Sequence, residues 1–428
     1  MYVHVVKKGE HIHGIAQAVG ADPDEVRAIN GLVSDHLLPG STLLLPTQVP
    51  TSLVTYTVKQ GDTLRKVANS FHVPEKILLS ANLPLPEEGM PAGRVLTLPV
   101  PVFERRSIEV NMRFEVQGEQ EEEETIEEAR DSVSSVSVAT GWIQPDGGIE
   151  VPPFADRHLL SKLRGIGRTL LLLAPQDETA AKNVLTQSRA RNAFFRDLRG
   201  LIAEDEFAGV HLEMTSLPPE LRMQFNGFVR ELAVRVHHGA GRLYVAVRPH
   251  LEDDPDHPMF GAYDLPWIAR YADRVVWNVE EGYGRADGPP MALAPLHLVR
   301  RSLEYALRVV PSQRLLLGMP FYGFDWAVPF QTDQLSNLIV HGPASFEEEE
   351  PEPIEPPQQV LWDDRAMTPM FLYRDAEGER REVWYEDVRS IAAKLHLVHE
   401  HGLAGISCQV LGSAMVAPWV LLCDLFDV

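Results

Sequence analysis

From Ser107 onward, short apolar runs alternate with helical segments, and this alternation limits the fold more than any other feature of the chain. The strand candidates are Ile108 to Phe114, Val133 to Ala139, Thr169 to Ala174, Ala208 to Met214, Leu243 to Val247, Arg274 to Val279, Leu315 to Met319 and Gly405 to Val410. Helical patterns fall between most of them, as at Ala190 to Ala203, Leu221 to Val236, Leu298 to Val309 and Asp387 to His399. Eight β-then-α units in about 320 residues predict a parallel (β/α)8 TIM-type barrel, an α/β fold. The segment between strands seven and eight is too long for one crossover and holds its own strand pattern, Met370-Phe371-Leu372-Tyr373. An α+β insertion is therefore expected over about residues 324–385.

The N-terminal hundred residues are organised differently, because Val6-Lys7-Lys8-Gly9-Glu10 recurs as Val58-Lys59-Gln60-Gly61-Asp62 and Asn30 is matched by Asn82 at the same offset. Each copy runs strand, helix, short helix, strand. The first helix is patterned by Ile12, Ile15, Ala16 and Val19 (second copy Leu64, Val67, Ala68 and Phe71), and the closing strand is Leu43-Leu44-Leu45-Pro46 or Leu96-Thr97-Leu98-Pro99. Two small βααβ modules, residues 1–48 and 54–100, are expected to precede a barrel at 105–428.

Gly61, Asp62, Thr63, Leu64, Asn82, Leu83, Gly93 and Pro99 resemble the pattern of the LysM module, and the first copy departs from it at Glu10 and His11. LysM modules hold N-acetylglucosamine polymers in a shallow groove between the loop after the first strand and the loop after the second helix. The resemblance places that groove at Gly9, Glu10, His11 and Ile12 with Asn30, Gly31 and Leu32. In the second copy it falls at Gly61, Asp62, Thr63 and Leu64 with Asn82, Leu83 and Pro84. The competing reading is that these Gly and Asn residues supply turns and helix caps. For the pair as a whole binding is the stronger reading, since two linked weak sites gain avidity through effective concentration.

The formal net charge of −22 over 428 residues opposes a nucleic-acid partner, whose affinity comes from clustered Lys and Arg. A neutral or weakly charged polymer fits better. Two acidic runs, residues 119–128 and 346–353, read as solvated, mobile segments without calcium-loop spacing. The first follows barrel strand one, at the end where such folds keep their sites. Only Cys408 and Cys423 occur, both in apolar surroundings, so buried thiols are expected rather than a disulfide framework. The N-terminus shows no signal-peptide core and no apolar run of spanning length appears, so synthesis in the cytoplasm without a membrane partner is expected. No metal site or cofactor is indicated, because the histidines show no paired spacing with carboxylates.

Four further segments resemble glycoside hydrolase family 18. They are Ile108-Glu109-Val110-Asn111, Gly318-Met319-Pro320-Phe321-Tyr322-Gly323-Phe324-Asp325-Trp326, Val383-Trp384-Tyr385-Glu386-Asp387-Val388-Arg389-Ser390 and Gly405-Ile406-Ser407. With the LysM pair the likeness is to the branch containing bacterial spore-cortex N-acetylglucosaminidases. Such enzymes use the substrate's N-acetyl oxygen as nucleophile, and a Glu at the end of strand four protonates the leaving oxygen. Their motif, Asp-Gly-x-Asp-x-Asp-x-Glu, falls on Ala208-Gly209-Val210-His211-Leu212-Glu213-Met214-Thr215. The first Asp is lost, His211 replaces the second, Glu213 stands for the third, and Thr215 occupies the acid's place.

A threonine hydroxyl cannot supply a proton near neutral pH, and general acid catalysis contributes roughly 10² to 10⁴ in rate. Glu213 lies two residues back, about 6 to 7 Å along a strand, whereas catalytic geometry tolerates about 0.5 Å. The family's Tyr-Asp after strand six falls on Glu280-Glu281, and its strand-eight Trp falls on Gln409. His211, Glu213, Thr215, Glu280, Glu281 and Gln409 thus read as vestiges of one site. Trp142 and Tyr283 are candidates for stacking on a sugar or for anchoring loops; Trp326, Trp384 and Trp419 read as core, and His237-His238 as a surface helix end.

The resemblance implies binding of spore peptidoglycan or a chitin-like polymer by the LysM modules, on a barrel that no longer hydrolyses, placed in the spore coat or cortex. An active N-acetylglucosaminidase with Glu213 as relocated acid, partnered by Glu281, is the first alternative. A structural protein that docks spore-coat proteins is the second.

Overall fold

The computed structural model describes residues 1–32, 34–46, 51–71, 73, 75–83, 85, 90–101, 105–115, 121–151, 157–205, 207–279, 282–284, 288–330, 339–340, 353–410 and 416–428. Eight strands, Glu109–Glu115, Ser135–Ile143, Arg168–Pro175, Gly209–Glu213, Arg242–Val247, Arg274–Trp277, Leu315–Pro320 and Gly405–Val410, form the barrel. Each pairs in parallel with the next, and the eighth pairs with the first, which closes the ring. All eight coincide with the apolar runs of the sequence to within a few residues. Close strand approach explains two glycines: a Cβ on Gly209 would lie 2.0 Å from the Arg242 carbonyl oxygen, and one on Gly405 would lie 1.8 Å from that of Glu109.

In front of the barrel, Tyr2–Val5 pairs antiparallel with Thr42–Leu45 around helices Ile12–Val19 and Pro23–Ile29. Thr51–Thr57 pairs with Val95–Pro101 around helices Leu64–Ser70 and Glu75–Ser80. Both modules are βααβ, as the repeat predicts, and each has its own apolar core.

Neither module is a free appendage. Val3, Leu44 and Leu53 belong to the main barrel core; strand Thr42–Leu45 packs on helix Val388–Glu400, and strand Thr51–Thr57 packs on that helix and on Val416–Leu425. Thr42 Oγ1 donates to Asp387 Oδ2 at 2.8 Å, Arg94 pairs with Asp364 at 3.0 Å, and Arg389 Nη1 donates to the Leu83 carbonyl at 2.9 Å. The Arg389 guanidinium is buried 3.8 Å over the Trp362 ring, and desolvation draws its pKa down to about 10.

Three expectations change. The insertion, expected to be α+β, forms an antiparallel sheet of Gly323–Val328, Ile339–Val340, Leu361–Asp363, Thr368–Arg374 and Arg380–Trp384, with no helix among its described residues. From Glu121 on, the first acidic run forms the start of helix Glu121–Ala129, in which Thr125, Ile126 and Ala129 are buried. Most of the second acidic run lies outside the described residues. Cys408 is buried as expected, Cys423 is half-buried, and both are free thiols.

Candidate functional site

Strand alternation sends His211, Glu213 and Thr215 into the barrel, where all three are buried. Glu213 meets Arg113 from strand one: Nη2 donates to its two carboxylate oxygens at 2.7 and 2.9 Å. Asn278, just past strand six, joins them, accepting from Arg113 Nη1 at 3.0 Å and donating to Glu213 at 3.3 Å. Strands one, four and six are not neighbours, so this cluster crosses the lumen.

Below it, Asn111 Nδ2 donates to the hydroxyls of Ser135 and Ser137 at 3.0 Å, and Ser407 donates to Asn111 Oδ1 at 2.9 Å. His211 Nδ1 is 2.9 Å from Ser137 Oγ. Complete burial, with Arg113 nearby, lowers its pKa to about 3, so the imidazole is neutral. The chain beyond strand four is braced by Tyr263, whose hydroxyl donates to the Met214 carbonyl at 2.6 Å and accepts from Leu217 N–H at 3.0 Å. Gln409 is half-buried at the end of strand eight. Glu280 and Glu281 lie outside the described residues.

In the modules, many of the assigned groove residues serve the fold. Asn82 Nδ2 donates to the Leu78 and Thr97 carbonyls at 2.7 Å, and its Oδ1 accepts from Thr97 N–H at 2.6 Å. Asn30 makes the same three bonds, to Val26 O, Leu44 O and Leu44 N–H. Thr63 caps its helix through Lys66 N–H, and His11 does so through Gly14 N–H, so the departure at His11 preserves the cap. Glu10 likewise copies Asp62, each accepting a backbone N–H at 2.8 Å, from Lys7 and Lys59. Ile12 is core, and Leu64 packs beside the second module's core. A Cβ on Gly31 would touch Val416, and Leu83 is held by Arg389, so barrel helices abut the second-helix loop of both modules. Gly9 and Gly61 take positive φ in the first-strand turns. Leu32 is half-buried against the first core, and Pro84 lies outside the described residues.

The sequence pattern of Glycosyl hydrolases family 18 matches residues 175–409, more than half of the chain, and the LysM domain matches residues 4–46 and 56–99. The chain belongs to glycosyl hydrolase family 18. It is 28% identical over 455 residues to a cortical fragment-lytic enzyme of Bacillus subtilis, covering 87% of this chain and 98% of that one. It superposes on the spore cortex-lytic enzyme SleL of Bacillus megaterium with a TM-score of 0.78 and 24% identity, over 99% of this chain and 98% of the other. With SleL of Bacillus cereus the TM-score is 0.79 at 23% identity, over 99% and 97%. LysM and family 18 domains together imply a ligand containing N-acetylglucosamine polymer, such as peptidoglycan.

Glu213, the described inward carboxylate at the end of strand four, is bound to the Arg113 guanidinium. His211, two residues before it, is a neutral imidazole. Sequence reasoning missed Arg113 and Asn278. The alternation Glu109, Asn111, Arg113 along strand one was the available signal, since inward polar residues on a barrel strand need partners across the lumen.

The remaining candidates separate. Tyr283 is a loop anchor: its hydroxyl donates to the Leu298 carbonyl at 3.0 Å and lies 2.8 Å from Ser302 Oγ, and burial pushes its pKa up to about 12. Trp142 is exposed near the C-terminal end of strand two. Trp326 and Trp419 are core, while Trp384 is half-buried and donates to Glu382 at 2.8 Å. His237 pairs with Asp273 on the surface at 2.8 Å. Among the described residues there is no group that could hold a metal ion and no helix long and apolar enough to cross a membrane.

Proposed function

We propose that this chain binds N-acetylglucosamine-containing wall polymer without hydrolysing it, and that spore peptidoglycan is the polymer. The observation that carries the reading is the Arg113–Glu213 ion pair across the lumen, with Thr215 at the acid's position. A family 18 reaction needs a protonated carboxylic acid beside the scissile oxygen. Thr215 cannot be one, and Glu213, paired with Arg113, lies about 6 to 7 Å further down the strand. His211 adds no charge that could replace the missing acid. The spore setting is supported by the cortex-lytic names of the relatives, and the ligand class by the LysM pair.

The test is direct. Purified full-length protein is incubated with cortex fragments and with chitin oligomers, and new reducing ends are measured beside retention on insoluble peptidoglycan. Retention without new reducing ends is expected. Turnover that disappears in Glu213→Gln overturns the reading in favour of a relocated acid, and absence of retention overturns wall binding.

A further inference from the structure

A cavity of about 650 Å³ lies between the two LysM modules, within the range of small-ligand sites. Lys7, Glu10 and His11 line it from the first module, and Lys76, Ile77 and Ser80 line it from the second. Of the first module's assigned groove, Gly9, Glu10 and His11 reach this cavity, whereas Asn30, Gly31 and Leu32 do not. The wall facing the first-strand loop is therefore the other module's helix Glu75–Ser80.

The walls are fixed by polar and apolar contacts. Buried His4 bridges the modules, with Nε2 2.8 Å from Glu10 Oε2 and Nδ1 2.5 Å from Ser80 Oγ. The Glu10 carboxylate can only accept, so Nε2 carries the proton and Nδ1 accepts from the serine hydroxyl. Ile77 packs against both module cores. Ile15, Ala18 and Leu79 complete an apolar surface.

Charge selects the occupant. Residues 1–100 hold eight Lys and Arg against nine Asp and Glu, leaving 31 against 52 for the remainder. An anionic polymer is thus repelled by the barrel half and tolerated by the module half. At the cavity, Glu10 is already engaged by His4 and by Lys7 N–H. Lys7 and Lys76 are exposed, and neither forms a salt bridge to another described residue.

We propose that the two modules form one composite site, in the cleft between them, for an acylated amino-sugar chain bearing carboxylates. Its acyl methyl groups and sugar faces lie on Ile15, Ala18 and Ile77, and its carboxylates meet Lys7 and Lys76. This rests on the wall-binding reading above and adds a location and a charge preference to it.

Calorimetric titration of the full-length protein tests it, using chitotetraose and a tetrasaccharide of alternating N-acetylglucosamine and N-acetylmuramic acid. The second should bind roughly fivefold tighter, the size of two exposed ion pairs. Lys7→Gln with Lys76→Gln should erase that difference. Ala18→Trp, at an exposed helix position, should weaken both ligands about tenfold or more by filling the cleft. Equal affinities in the wild type, or a preference that survives the lysine double variant, overturn the charge assignment. Unchanged binding in Ala18→Trp overturns the composite site and leaves wall binding standing. Failure of the wild type to bind either tetrasaccharide or insoluble peptidoglycan overturns both readings.

Discussion

Arg113 and Glu213 stand three places apart round the ring of strands, and neither is more than about a tenth exposed. Removing one partner of a buried ion pair costs about 3–5 kcal/mol, whereas replacing both by apolar groups is often nearly neutral. Glu213→Leu should therefore lower the free energy of unfolding by about that amount, and Arg113→Met/Glu213→Leu should restore most of it. Urea titration checks both, and a double variant as unstable as the single one would remove the ion pair from the account. His211 contributes to the pH dependence, as do His4, His250 and His396, whose pKa values burial also lowers. Unfolded, the His211 imidazole takes up a proton below about 6.5, while the folded group stays neutral down to about 3. The unfolded chain then binds more protons in that interval, so stability is full above 6.5 and falls as pH drops toward 3. One histidine contributes a slope of at most about 1.4 kcal/mol per pH unit. His211→Gln should flatten the acid limb of stability against pH, measured by unfolding at pH 4, 5 and 7.

At the scale of elements, the repeat was the most legible part of the chain because its determinants are local. Asn30 and Asn82 each join the second helix to the closing strand within 15 positions, and both recur at one offset. Spacing shows that such an Asn matters without showing why, and here the three hydrogen bonds place each side chain in the scaffold. Asn82 is fully buried and Asn30 is not. Loss of a buried partner leaves backbone groups unsatisfied at about 1–3 kcal/mol each. Asn82→Ala should destabilise the chain more than Asn30→Ala, and the folded fraction of either should keep its affinity for chitotetraose. Loss of affinity with unchanged stability would return these residues to the glycan. The barrel strands were equally legible, since a buried parallel strand is a short apolar run. The contents of the lumen were not, because Arg113 and Asn278 acquire meaning only when strands one, four and six face each other.

The whole molecule shows what local patterns do not carry. Thr42 and Asp387 are 345 positions apart, and Arg389 and Leu83 are 306 apart, yet these pairs join modules to barrel. A sequence divided at residue 100 suggests independent units, but Val3, Leu44 and Leu53 are buried in the barrel's own core. Each such aliphatic side chain contributes about 1.5–3 kcal/mol when it leaves water. Superposition on SleL over 99% of the chain is consistent with a joint that belongs to the fold. Residues 105–428 produced alone should thus unfold at lower urea than the full chain, because helices Val388–Glu400 and Val416–Leu425 lose their cover and Asp387 loses Thr42. In the full chain, signals from modules and barrel should change in one shared transition. An isolated barrel with the full chain's midpoint, together with a separate module transition, would instead describe tethered domains, and the barrel would then have no part in fixing the cleft between the modules.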